Sequence, residues 1–173
     1  MSCKLCDLLK EAPLYDDGEV TAVVSETPAA PGHLIVAPKT HHVILEQVPD
    51  WVMGKLFTVA NKLSIALFEG LGAQGTNLLI QNGAAAGQGA PHVSVNIVPR
   101  QENDGLNLLW QPRQLSEEEM STVELKLKQE IKSIGSFDKE KPKPKEEPKP
   151  DVKKEYKLSE EENYLIKSLR RIP

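Results

Sequence analysis

Two groups of residues in this chain have the types and spacing to do chemistry. The first lies in Asn82-Gly83-Ala84-Ala85-Ala86-Gly87-Gln88-Gly89-Ala90-Pro91-His92-Val93-Ser94-Val95-Asn96-Ile97-Val98-Pro99-Arg100. Its glycines and small residues let backbone approach a ligand closely. From His92 to Val98 polar and apolar residues alternate. On a strand, side chains repeat with a period of two, so Val93, Val95 and Ile97 face a core and His92, Ser94 and Asn96 face the other way. Pro99 is expected to end that strand. Such a polar ladder at the mouth of a glycine-rich loop offers the donors that phosphate oxygens need. The second group is Cys3-Lys4-Leu5-Cys6. A CxxC lets two thiolates bend round one zinc ion, with two further ligands from elsewhere in the chain. It equally suits a thiol–disulfide pair. The chain has no other cysteine, so further zinc ligands would be His, Asp or Glu.

The elements that must position these groups follow from patterning. Val20, Thr21, Val23 and Val24 predict a strand over 19–24, after an Asp16-Asp17-Gly18 turn. Leu34 to Ala37 reads as a second short strand, ending at Pro38. Met53, Leu56, Ala60, Leu63 and Leu67 recur at helical steps and predict one long helix over 50–71, with Asp50 as N-cap and Gly70 and Gly72 as the stop. Its apolar stripe is core. A strand is expected over 76–81, with Leu78 and Ile80 on one face and Asn77, Leu79 and Gln81 on the other. Leu106, Leu108, Leu109 and Trp110 make an apolar patch. Ser116-Glu117-Glu118-Glu119 is a capping box opening a further helix that stops at Gly135.

Beyond that helix the composition collapses. Residues 138–155 hold seven lysines, six acidic residues, four prolines and one apolar residue, Val152. Such a segment cannot bury enough surface to offset ordering and is expected to be a disordered spacer. At about 3.1 Å per residue it reaches on the order of 55 Å. A second capping box, Ser159-Glu160-Glu161-Glu162, then opens a helix striped by Leu158, Leu165, Leu169 and Ile172. A capped amphipathic helix on a long tether reads as a docking peptide for a partner protein.

Over its 173 residues the chain carries 21 basic and 25 acidic side chains, a net charge of −4. That gives no strong field for nucleic acid or an anionic membrane. No apolar run reaches the length of a spanning helix, and no basic-then-apolar leader opens the chain. Two cysteines do not make a secreted disulfide framework, so a cytoplasmic protein is expected.

The motif Gly87-Gln88-x-x-x-His92-Val93-x-Val95-x-Ile97-Val98-Pro99-Arg100 resembles the signature of the histidine-triad (HIT) nucleotide-binding proteins, whose ladder reads His-φ-His-φ-His. Here the three positions are His92, Ser94 and Asn96. Pro31-Gly32-His33-Leu34-Ile35-Val36-Ala37-Pro38-Lys39-Thr40-His41 resembles the family's other strong segment, and the resemblance runs over residues 3–110. It implies an α+β fold, with an antiparallel sheet and one long core helix. The expected organisation is a HIT-like domain over 1–110, a helical extension over 111–135, a Lys/Glu/Pro linker over 136–155 and a tethered helix over 156–173. By the same resemblance zinc is held by Cys3, Cys6, His41 and His92, a purine nucleotide is the ligand, and the protein is a homodimer. Asn82, Gly87 and Gln88 belong to the loop that flanks the nucleotide. Ser25 stands where the family has the Asp or Asn that holds the ribose, and a hydroxyl cannot make that bidentate contact. His33 falls near the pocket, whereas His42 reads as a surface or packing residue.

The departures bear on chemistry. In the family the middle histidine attacks the α-phosphorus and forms a nucleotidyl-histidine, and imidazole suits this because it is nucleophilic at neutral pH. Ser94 needs a general base, and Asn96 cannot take a proton. The expectation is therefore binding without the family's hydrolysis. Two other readings are a dimeric scaffold that recruits a partner through residues 156–173, and a hydrolase rebuilt on Ser94 as nucleophile with His33 as base.

Overall fold

The computed structural model describes residues 3–131, and the expectations for the linker over 136–155 and the helix over 156–173 lie outside them. The described chain divides into two compact units, one ending at Asp104 and one beginning at Gly105. No helix among the described residues is long and apolar enough to cross a membrane.

The first unit is built on five strands: β1 (Tyr15–Asp16), β2 (Val20–Val24), β3 (Leu34–Pro38), β4 (Gly75–Ile80) and β5 (Val95–Arg100). They form one sheet in the order β1-β2-β3-β5-β4, and every neighbouring pair is antiparallel. The turn between β1 and β2 is set by its acids. Asp16 accepts from the Gly18 N–H at 2.8 Å and Asp17 from the Val20 N–H at 2.9 Å, while Gly18 takes φ +90, which costs glycine little.

Alternation decides which faces are covered. Val20, Ala22, Leu34, Val36, Val95 and Ile97 pack with Val52, Leu56, Val59, Ala60 and Leu67 of helix α2 (Asp50–Leu71) in the main core. Val23 and Ala37 point to the opposite face, where helix α1 (Lys4–Glu11) lays Leu5 and Leu9, with Cys3 beside them. This is the α+β arrangement expected, with the long helix on one face; the short helix α1 on the other face was not foreseen. Leu56 is fully buried at its centre. Truncating such a leucine to alanine costs roughly 2–5 kcal/mol.

Three local expectations need correction. Pro49 is the N-cap of α2 and Asp50 its first residue, so Asp50 meets the helix dipole but caps no N–H. Gly70 lies inside α2, and the left-handed Gly72 alone ends it. The strand expected from His92 begins at Val95, and it runs through Pro99 to Arg100. The loop claims the groups ahead of it: the His92 N–H donates to Ala90 O and the Val93 N–H to His42 O, both at 2.8 Å. Pro99 is tolerated because β3 pairs with β5 only as far as Ile97, so Pro99 has a single strand neighbour, β4.

In the second unit, helix α3 (Glu117–Glu130) opens on the expected capping box. Ser116 Oγ accepts from the Glu119 N–H, and the Glu119 carboxylate accepts from the Ser116 N–H. The helix buries none of its residues. Leu109 and Trp110, just before it, are 86% and 85% exposed.

Candidate functional site

The fold gathers Cys3, Cys6, His41 and His92 at one corner. Cys3 sits at the N-cap of α1 and Cys6 in its first turn. His41 follows the end of β3, and His92 lies in the loop that leads into β5. All four ligand atoms fall within 4.8 Å of one another. The Cys3 sulfur is 3.8 Å from His92 Nδ1, and the Cys6 sulfur is 3.3 Å from His41 Nδ1 and 3.2 Å from His92 Nδ1. Sulfur and nitrogen ligands at ordinary zinc distances stand roughly 3.3–3.8 Å apart on a tetrahedron, so this set could hold a metal ion.

The second ring nitrogen of His92 supports that fit. Nε2–H donates to the Pro38 carbonyl at 2.9 Å, which leaves the Nδ1 lone pair facing the sulfurs. Burial pulls the His92 imidazole below its ordinary range. The Pro38 carbonyl opposes this, while His41 and His42 add to it. Burial first, then the Cys3 side chain, pushes the Cys6 thiol up. A cation at the centre would reverse that for a thiol it coordinates. His41 meets His92 edge-on, with ring centroids 5.0 Å apart.

Along the ladder from His92, Asn96 is paired with Ile35 across the β3–β5 register. Buried His33 reaches it, with Nε2 3.2 Å from Asn96 Oδ1. The other nitrogen, Nδ1, accepts from the Ala29 N–H at 3.1 Å. Ser94 is half-buried, and its hydroxyl makes no hydrogen bond among the described residues. His33 is thus brought to Asn96 and not to Ser94. Ser25 is buried beside His33: its N–H donates to the His33 carbonyl at 2.9 Å, and its hydroxyl accepts from the Thr27 N–H at 3.3 Å.

The loop residues are largely occupied with one another. Gln88 Oε1 accepts from the Gly83 N–H at 2.8 Å, while Nε2 donates to Val43 O at 2.7 Å and Ala90 O at 2.9 Å. Its carboxamide, read from the sequence as a ligand donor, is a latch within the loop. Asn82 accepts from the Leu45 N–H at 2.9 Å and donates to Glu46 at 3.0 Å, which ties the loop to the turn over Leu45–Gln47. Gly87 takes φ +84, and a Cβ there would stand 2.9 Å from Gln81 Nε2. Sequence reasoning missed Gln81 against this glycine, and it missed the roles of Pro38 O and the Ala29 N–H. Backbone groups carry no residue signal, so only the register between strands exposes them.

Comparison with known proteins adds three relatives and a family. The HIT domain profile matches residues 9–103, leaving Cys3 and Cys6 ahead of it. The adenylylsulfatase HINT3 of Arabidopsis thaliana is 32% identical over 138 residues, which are 78% of this chain and 66% of that protein. The adenosine 5'-monophosphoramidase HNT1 of Candida albicans is 28% identical over 147 residues, 78% of this chain and 95% of its own. A zinc-bound histidine triad family protein from Mycobacterium smegmatis matches with a TM-score of 0.58 at 31% identity, covering 76% of this chain and 97% of its own.

Proposed function

The chain belongs to the HIT domain family, and on that premise we propose that it is a zinc-bearing protein that binds a purine nucleotide without the nucleotidyl-histidine route of hydrolysis. The observation that carries this reading is the commitment of His33. Both of its nitrogens are engaged, one by the Ala29 N–H and one by Asn96, while among the described residues no base hydrogen-bonds the Ser94 hydroxyl. A serine without a base is a poor nucleophile at neutral pH. The same pairing weighs against a hydrolase rebuilt on Ser94 and His33.

Binding keeps its support. Ser94 and Asn96 contact the ligand in this reading, with Ser25 and His33 beside them and Asn82, Gly87 and Gln88 shaping the loop. The names of the Arabidopsis and Candida relatives both carry an adenylyl or adenosine group, which favours a purine nucleotide. Zinc would be held by Cys3, Cys6, His41 and His92, a donor set of suitable softness, and the zinc bound by the Mycobacterium smegmatis protein supports the choice. Four protein ligands complete a tetrahedron, so zinc bound there supplies a structural cross-link and no open position. A homodimer is supported by the edge strand β4 with Leu78 and Leu79 exposed on it, and by exposed Trp51 and Phe57 on α2.

The test is calorimetric titration of metal-analysed protein with AMP, ADP and adenylyl sulfate, with product followed in the same samples. Saturable micromolar binding without product is expected. Sustained turnover, or no binding of any of the three, would sink the reading. A second reading, a dimeric scaffold that recruits a partner through residues 156–173, draws support from the sequence there, a capping box at Ser159 and a stripe of Leu158, Leu165, Leu169 and Ile172. It predicts that a chain ending at residue 155 loses its function while nucleotide binding is unchanged.

A further inference from the structure

The hydrogen bonds at His33 fix more than its own ring. A backbone N–H can only donate, so the Ala29 N–H at 3.1 Å makes Nδ1 the acceptor and puts the ring proton on Nε2. Nε2–H therefore donates to its neighbour 3.2 Å away, and the Asn96 atom facing it must be the carboxamide oxygen. With the oxygen turned to His33, the NH2 of Asn96 is turned away from it. Among the described residues that NH2 donates to nothing, and neither does the hydroxyl of Ser94, two residues earlier on the same side of the alternation. Both residues are half-buried.

We propose that His33 is a positioning residue that turns the Asn96 carboxamide so that its NH2 and the Ser94 hydroxyl form a pair of uncharged donors for one tetrahedral oxyanion, the phosphoryl or sulfuryl group of the bound nucleotide. The inference rests on the nucleotide reading above and names the group that the ladder recognises. The terminal torsion of an asparagine is broad and nearly two-fold, so nothing intrinsic to Asn96 chooses its orientation. Without His33 the oxygen can face the ligand as readily as the NH2, and an oxyanion then meets an acceptor. Residues two apart on an extended chain stand roughly 6.6 Å apart at Cα, which lets one oxyanion take a hydrogen bond of about 2.8 Å from each. His33 supplies no proton and no base in this arrangement.

The experiment uses the metal-loaded full chain and its His33→Ala, Asn96→Ala and double variants. AMP and adenosine are titrated in parallel, and the Asn96 side-chain amide is followed by NMR with AMP, inorganic phosphate and sulfate. A structural defect weakens AMP and adenosine alike, whereas loss of the donor weakens only AMP. The AMP-to-adenosine affinity ratio should fall about tenfold in each single variant and little further in the double, since one hydrogen bond to a charged group is lost once. In the wild type the Asn96 NH2 resonance should move with AMP and not with adenosine. His33→Ala keeping the wild-type ratio while Asn96→Ala loses it overturns the positioning role. If His33→Ala does not fold, the wild type still decides, because a ring proton found on Nδ1 of His33 overturns it. No AMP binding, with the Asn96 amide still shifting in phosphate or sulfate, sinks the nucleotide reading and leaves the oxyanion pair standing. No shift with any oxyanion sinks the pair.

Discussion

His92 and Asn96 belong to one alternation, yet the fold uses them in opposite ways. Around His92 the polar atoms face one another: two sulfurs and two ring nitrogens crowd within 4.8 Å, and the remaining His92 nitrogen is tied to Pro38. Around Asn96 the polar atoms are ordered but left open, with a carboxamide aligned from one side by His33 and, beyond it, a hydroxyl that has no hydrogen bond among the described residues. The closed corner is assembled from residues as far as 89 apart, and its two sulfurs and two ring nitrogens are of a kind that could hold a cation. At the open end the donors suit an anion. Polar side chains that alternate in the sequence thus meet different surroundings according to what lies across from them, even when their spacing is the same.

Several measurements can break this contrast. The largest effect should come from the closed corner. In the zinc-bearing reading, chelation removes the ion and Cys6→Ser removes a ligand that joins α1 to both histidines, and structural zinc sites contribute on the order of 10 kcal/mol of binding free energy. The melting temperature should drop by many degrees, and amide exchange should rise first over Lys4–Glu11. Equal melting with and without chelator would remove the distinction between the two corners.

Next comes Gly87→Ala in the loop that precedes His92. Its φ of +84 and the Gln81 amide 2.9 Å from a built Cβ both resist a side chain. The change should cost about 1–2 kcal/mol in denaturant unfolding. An unchanged midpoint would mean the loop yields freely.

Acid should separate the closed corner from the rest of the sheet. Asp17 lies below the ordinary carboxylate range: burial would raise it, but the Val20 and Glu19 N–H groups and Lys55 outweigh that. A depressed carboxylate contributes stability that is present above its unfolded value, about pH 3.9, and is lost as pH falls through the lower folded value. Cysteine and histidine ligands must give up protons to hold a metal, so metal release should come at higher pH than loss of the β1–β2 turn. Metal content and strand circular dichroism followed down a pH series should therefore fall in that order.

The smallest effect is Ser94→Ala. Its hydroxyl has no hydrogen bond to lose among the described residues, so stability should change by less than about 0.5 kcal/mol, while AMP affinity falls. A loss of stability comparable to that of Cys6→Ser would make the open end as structural as the closed one.

Much of this arrangement is legible in the chain. The helical steps from Met53 to Leu67 locate α2, and the alternation around Val95 and Ile97 locates the covered face, because burial imposes those periods. Cys3 and Cys6 announce a metal or redox site by their spacing. His41 and His92 join them only through the family resemblance, since nothing local ties residues 35 and 89 positions away. The bond between His33 and Asn96 was not legible. It depends on Ile35 lying opposite Asn96, a register set by the whole β3–β5 pairing. The start of β5 differs from the expectation for a similar reason: His42, far back in the chain from Val93, claims the Val93 N–H. Gln88 reads as a ligand donor because its type fits one, whereas its three partners are Gly83, Ala90 and the carbonyl of Val43.

The Pro38 carbonyl that receives the His92 ring also bears on the order in which the molecule comes together. During synthesis Cys3 and Cys6 emerge well before His41 and His92. A metal held by the two thiolates alone is exchangeable, and closing so long a loop is entropically costly until strand pairing has already brought its ends together. Pro38 ends β3, so His92 finds its carbonyl only once β3 and β5 have met. In the zinc-bearing reading proposed above, the corner would close late on the nascent chain, and protein made without the metal should show a paired sheet with a loose first helix.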